Sequence, residues 1–214
     1  MNFLAHAYLS GNNSEILIGN FIADHVKGKM FERYSSEIQK GVILHRRIDS
    51  FSDSHPVFRQ SVARLRWEFG KYSGVLVDMF YDHFLARNWK DYSEIPLKTF
   101  TSAVYNTLMR RFLILPAKTK RMLPFMLADD WLAGYAYLEG LNLALSGMAR
   151  RTNFYSGMEY GVESLKQNYN QFEEEFTLFF HDLRNDVLVF NKTLSEPEYN
   201  LPSLAINYDP SQSL

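Results

Sequence analysis

The feature that most limits what this chain can fold into is a run of large apolar side chains spaced by threes and fours. Leu165, Tyr169, Phe172, Phe176, Phe179 and Leu183 recur at the period of an α-helix and share one stripe of its surface. A strand would need alternation by two, which this segment lacks. The spacing predicts one long helix over 158–193 whose seam other helices must cover. The Glu173 to Glu175 run within it reads as a solvated face.

The same period recurs upstream. Helices are expected over 14–27, with Asn13 or Ser14 as cap, over 35–51 and over 73–89. Pro56 suits the first turn of another, closed by Gly70, and Pro96 precedes one over 97–115. Pro116 and Pro124 should divide the next stretch into short pieces, and 129–148 should be helical again. No series of strands and no internal repeat competes. The expected fold is all-α: a single helical bundle over 1–194, followed by a polar tail at 195–214.

Composition narrows the function. Seventeen Phe, thirteen Tyr and three Trp suit a core of packed helices. A net charge of -1 argues against binding nucleic acid through a strongly basic surface. With no cysteine there is no thiolate ligand or nucleophile, so a metal site must use His, Asp, Glu or backbone oxygen. The N-terminus lacks the pattern of a secretory signal, and no apolar run reaches the ~20 residues of a membrane helix. A cytoplasmic protein is the expectation. No Walker loop and no Gly-x-Ser-x-Gly element is present.

Five of the six histidines fall in the first 83 residues, most beside an aspartate. His45 and Asp49 are four apart on a helix, as are Asp78 and Asp82, so each pair lies about 40° apart around its axis. Their apolar neighbours turn both pairs inward. A buried, unpaired carboxylate costs several kcal/mol or takes up a proton, and a divalent cation satisfies several at once. Each pair alone reads more readily as a structural hydrogen bond; three inward clusters on separate helices bring a shared ion level with that reading. Asp82 and His83 are adjacent, about 100° apart, so one could bind an ion while the other supports it. Asp24 and His25 pose the same choice. His181 reads as structural or superficial.

These blocks carry a resemblance. Asn2-Phe3-Leu4-Ala5-His6, Gly19-Asn20-Phe21-Ile22-Ala23-Asp24, His45-Arg46-Arg47-Ile48-Asp49, Asp78 and Asp82-His83-Phe84-Leu85 resemble the acyl carrier protein phosphodiesterase family, with a looser match through Met148-Ala149-Arg150-Arg151. The resemblance implies a helical fold distantly akin to the HD phosphohydrolases. It also implies removal of 4′-phosphopantetheine from holo acyl carrier protein with a divalent metal, manganese first, magnesium or iron(II) as alternatives. By motif, His6, Asp24, His45, Asp49, Asp82 and His83 are the implied metal ligands, with Asp24 or Asp78 handling the attacking water. The Asp-His order at 24–25 and 82–83 reverses the usual HD pair, and His25 and His55 match no block.

Arg46 and Arg47 flank the ligand helix and can make forked contacts to phosphate or to acidic groups on a carrier. Lys27, Lys29, Arg64 and Arg66 could extend that patch. Two rivals remain at this stage: an HD-like nucleotide phosphohydrolase and a non-catalytic carrier-binding module. The sequence leaves oligomeric state open.

Overall fold

The computed structural model describes residues 1–195, so the expected polar tail lies, from 196 on, outside the described residues. Every regular element among them is helical, as the periodicity requires. The chain opens with α1 (Phe3–Leu9) and α2 (Ser14–Ile22), the latter capped by the Asn13 side chain, which accepts from the amides of Glu15 and Ile16. Next come α3 (Ser36–Ser54), α4 (Pro56–Phe69) and α5 (Ser73–Arg87). Pro56 occupies the first turn of α4, and Gly70 ends that helix at φ 54°, a left-handed value suited to glycine.

The second half holds α6 (Leu97–Arg110), α7 (Ala117–Ala128), α8 (Trp131–Gly134), α9 (Leu138–Ala149), α10 (Gly161–Gln167) and α11 (Tyr169–Ser195).

Several boundaries differ from expectation. The helix expected over 14–27 stops at Ile22. A 3-10 turn, Ala23–His25, follows, then extended backbone at Val26 and a second 3-10 stretch, Gly28–Arg33. Pro124 does not divide α7: it removes one amide donor on an exposed position, and the helix continues around it. The helix expected over 129–148 starts only after Asp130, at φ 42°, and divides between α8 and α9, where Tyr137 is extended (φ -116°, ψ 141°) and a Cβ on Gly140 would lie 2.2 Å from the Gly134 carbonyl oxygen. That close return needs two short helices. The seam over 158–193 is real, but Asn168 leaves helical geometry. The break lets α10 pack on α9 while α11 packs along α3, α4 and α5.

At the centre lies α5. Leu76, Val77, Met79, Phe80, Tyr81, Asp82, His83, Phe84 and Leu85 are all fully buried, so this helix is covered on every side. Phe172, Phe176 and Phe179 of α11 pack against it, with Phe84–Phe176 and Tyr81–Phe179 ring centroids 5.9 and 5.2 Å apart. Each such ring contributes about 1.5–3 kcal/mol by burial. Glu175 overturns the expectation of a solvated Glu173 to Glu175 face. It is only 7% exposed and receives both Arg64 guanidinium nitrogens, at 2.6 and 2.7 Å. Glu174 alone of the three is exposed.

The closest helix contact joins α2 to α3. A Cβ on Gly19 would meet the Ile38 carbonyl oxygen at 2.0 Å, and one on Gly41 would meet the Ile16 carbonyl oxygen at 2.2 Å. The two backbones touch because neither crossing residue has a side chain. This contact sets where the residues just beyond it, Asn20 on α2 and His45 on α3, meet.

Candidate metal centre

Four side chains converge where α1, α2, the Ala23–His25 turn and α3 meet. His6 comes from α1 and His45 and Asp49 from α3, and one ligand atom of each lies within 4.8 Å of the other two. Asp24 joins from the turn, its Oδ1 3.1 Å from His45 Nε2. The i,i+4 spacing does what the sequence predicts: Asp49 Oδ2 is 3.0 Å from His45 Nε2. Asp49 Oδ1 is 3.2 Å from His6 Nε2. The imidazoles are buried, at 3% and 6% exposure, whereas the Asp24 and Asp49 side chains are 63% and 43% exposed. The cluster therefore has a closed imidazole floor and a carboxylate rim open to solvent.

The sequence reading did not assign a role to Asn20, which organises the floor. It is fully buried. Its Nδ2 donates to the His6 carbonyl at 2.8 Å and to Ser10 Oγ at 2.9 Å. Its Oδ1 must then be the atom facing both rings, 2.7 Å from His6 Nδ1 and 3.2 Å from His45 Nδ1. His45 Nδ1 also donates to the Asn20 carbonyl, 2.8 Å away. Both Nδ1 atoms thus carry hydrogens. Both Nε2 atoms face carboxylate oxygens with only a lone pair, unless the ring is protonated. The signal for Asn20 was present in the Gly19-Asn20 step, but only the tertiary contact gives it meaning.

The rings stack with centroids 4.0 Å apart, so two imidazolium charges would repel. The electrostatics divide accordingly. Burial opposes the charged form of His45, but Asp49 and Asp24 outweigh it and push its pKa up to about 10. Burial and the neighbouring His45 push His6 down. Burial would raise Asp49 and Asp24, yet the His45 charge holds both below the usual carboxylate range, Asp49 well below. Neutral His6 is left with its Nε2 lone pair 3.2 Å from Asp49 Oδ1 and 3.1 Å from the Met1 carbonyl oxygen. Three acceptors pointed at one another call for a cation. Two imidazole nitrogens and one or two carboxylates form a donor set that Mn, Fe, Zn or Mg accepts. The residues fit a divalent ion.

The structure does not bring every expected ligand to this point. The Asp82 carboxylate lies beneath α1 and accepts from the amides of Leu4 at 2.8 Å and Ala5 at 3.2 Å. With the Asn2 side chain, which accepts from the Phe3 amide at 2.7 Å, it satisfies the first amides of α1, which explains how seven residues stay helical. Burial pushes its pKa up to about 7 against the pull of those amides. His83, one residue on, points elsewhere: its Nδ1 is 2.7 Å from the Tyr135 carbonyl and its Nε2 2.8 Å from the Tyr169 hydroxyl. Asp78 sits at the margin, 2.7 Å from the Met1 ammonium, whose carbonyl touches His6. Burial raises its pKa despite that ammonium. Among the described residues, no other group of three or more His, Asp or Glu side chains converges tightly enough to hold an ion.

Of the two expected anion-binding arginines, Arg47 is held by Asp186 on α11, with its Nε 2.8 Å from Oδ2. Arg46 is exposed and lies over the Phe31 ring, 5.1 Å from its centroid. Arg64 is occupied by Glu175.

The model of the family described as acyl carrier protein phosphodiesterase matches residues 1–183, a span that contains this whole cluster. The chain belongs to that family. Relatives named acyl carrier protein phosphodiesterase include one from Pectobacterium atrosepticum, 32% identical over 181 residues, covering 84% of this chain and 94% of the relative. Another from Photorhabdus laumondii is 30% identical, covering 84% and 91%. A third from Yersinia enterocolitica is 29% identical, covering 84% and 94%. No solved structure matches the chain. In this member of the phosphodiesterase family, the block around Asn20 is the hinge of the cluster. Asn20→Ala is expected to weaken Mn²⁺ binding about 10–100-fold, the scale seen when a group orienting a ligand imidazole is lost. Isothermal titration of the purified variant measures it. An affinity equal to wild type would show that the rings hold their orientation without the amide.

Proposed function

We propose that this chain is a metal-dependent phosphodiesterase that hydrolyses 4′-phosphopantetheine from holo acyl carrier protein, leaving the apo carrier. Family membership supports the reaction class. The observation that carries the metal dependence is the pair of imidazoles whose Nδ1 hydrogens are committed to Asn20, so that both Nε2 atoms face Asp49 and Asp24.

His6, His45 and Asp49, with Asp24 at the rim, would hold the ion, and manganese is the leading candidate. When bound, the cation supplies positive charge to the phosphate oxygens and lowers the pKa of water beside it. The chain's own groups do the rest. The buried imidazole floor excludes bulk water from one side. Asp24, ionised and the most exposed of the four, is placed to accept the proton of the attacking water. The new P–O bond forms from that water, the bond from phosphorus to the carrier serine oxygen breaks, and the proton taken up by Asp24 passes on to that oxygen, which leaves as a hydroxyl. Asp78, raised by burial and paired with the Met1 ammonium, is a poorer base and acts in this reading as a support for the segment bearing His6. Asp82 and His83 are structural in it, one fastening α1 and the other tying α5 to the segment after α8.

Among the described residues no helix is long and apolar enough to cross a membrane. The reading places the enzyme in the cytoplasm with its carrier substrate. The test uses chelator-treated protein, holo carrier protein and added Mn²⁺, with Mg²⁺ and Fe²⁺ in parallel. Mass spectrometry should show released phosphopantetheine and the apo carrier mass, with turnover rising with metal. No product at any concentration of these metals would overturn the proposal.

A further inference from the structure

The chain is nearly neutral overall, yet two segments beside the cluster are not. Residues 27–33 and 110–121 contain eight cationic side chains and one acidic one, Glu32. Tertiary contacts bring the segments together around the rim. His25, next to Asp24, lies with its Nδ1 2.7 Å from Thr119 Oγ1 on α7. The Tyr34 hydroxyl, at the end of the Gly28–Arg33 stretch, donates to the Ile114 carbonyl at 3.2 Å. Arg46, beside His45, rests on Phe31 of the same stretch. Lys118 is close enough to His25 to act on its charge.

Several cations near the site are already neutralised: Arg47 by Asp186, Arg64 by Glu175, Lys40 by Glu37 and, within the second segment, Arg111 by Glu15. In contrast, Lys27, Lys29, Lys118 and Arg121 are exposed, and no carboxylate among the described residues pairs with them. Exposed apolar side chains lie in the same segments: Met30 at 51%, Leu113 at 88% and Ile114 at 39%. A cationic surface with apolar side chains interleaved suits an acidic protein surface that also presents apolar groups. A free phosphate needs no such breadth.

We infer that Lys27, Lys29, Met30, Leu113, Lys118 and Arg121 form the docking surface for the acidic face of the carrier protein, seating it against the Asp24 side of the cluster. This rests on the proposed phosphodiesterase reading for the identity of the partner. It also moves the contact away from Arg47 and Arg64, which their carboxylate partners occupy. Docking here lets charge steer the encounter while the chemistry stays with the His–Asp cluster.

The test pairs Lys118→Glu/Arg121→Glu with Lys90→Glu/Lys166→Glu, two exposed charge reversals away from the patch, as a control for net charge. Binding of fluorescently labelled holo carrier is measured by anisotropy at several salt concentrations, and it needs no turnover. The Lys118→Glu/Arg121→Glu variant should bind about tenfold or more weaker, with a shallower salt dependence. KM for holo carrier should rise while kcat and hydrolysis of bis(4-nitrophenyl) phosphate stay as in wild type. The Lys90→Glu/Lys166→Glu variant should match wild type. Unchanged carrier binding by the Lys118→Glu/Arg121→Glu variant, or no binding by wild type, overturns the docking surface. Carrier binding lost in the variant while wild type releases no phosphopantetheine upholds it, and that outcome counts instead against the hydrolase reading.

Discussion

Asp49→Asn will reduce turnover of holo acyl carrier protein by roughly 10³-fold or more, the scale on which removing one member of an interdependent catalytic set acts. Asp49 touches both imidazoles, its two oxygens 3.2 Å from His6 Nε2 and 3.0 Å from His45 Nε2. Asparagine keeps the size but brings a neutral amide, so an ion held there, as proposed, would lose its shared carboxylate. The variant should also bind Mn²⁺ poorly in direct titration. A pH signature separates this from simple loss of fold. In metal-free protein, His45 keeps its proton up to about pH 10, against an ordinary 6.5. A raised folded-state pKa contributes stability that is complete below about pH 6.5 and lost as pH rises through 10. Asp49 is the largest of the influences that raise it. The thermal midpoints of wild type and Asp49→Asn, both metal-free, should therefore differ near neutrality and converge as pH approaches 10. An active Asp49→Asn enzyme with wild-type metal affinity would remove Asp49 from the centre.

Gly41→Ala should be, with Gly19→Ala, among the most damaging single methyls at the described glycines. Its Cβ would lie 2.2 Å from the Ile16 carbonyl oxygen and 2.8 Å from the Gly19 Cα, both backbone atoms that no rotamer change can move aside. The helices must separate, at a cost of about 3 kcal/mol by the usual scale of overpacking. The same displacement carries His45, one turn further along α3, away from Asn20 on α2. Activity and metal affinity should fall along with stability, unlike Gly74→Ala, where a Cβ meets nothing within 4 Å. Chemical denaturation measures the first effect and Mn²⁺ titration the second. Equal stability of wild type and Gly41→Ala would contradict the backbone contact between α2 and α3.

The helical class was legible because apolar spacing by threes and fours repeats along most of the chain. Phe172, Phe176 and Phe179 line the core along the expected stripe. Less legible were the places where long-range contacts govern the backbone. The seven residues of α1 are too short to show a periodic signal, and beyond the local Asn2 cap their amides are held by a carboxylate 78 positions from Leu4. Asn168 and Tyr137 interrupt helices whose local composition favours continuation, because α10 and α9 must reach their own packing partners. The solvated reading of Glu175 failed for the same reason: Arg64 lies 111 positions away in sequence.

Within the cluster, one pair was determined by sequence alone. His45 and Asp49 must share a helix face, because four residues turn a helix little more than once. Family blocks also marked His6 and Asp24. What the tertiary structure decided was which other groups meet them. Asp82 has the same i,i+4 relation to Asp78, yet its carboxylate goes to amides of α1, and His83 turns towards Tyr135 and Tyr169. Helical spacing fixes the direction of a side chain relative to its own axis; only the packing of one helix on another decides what stands in that direction.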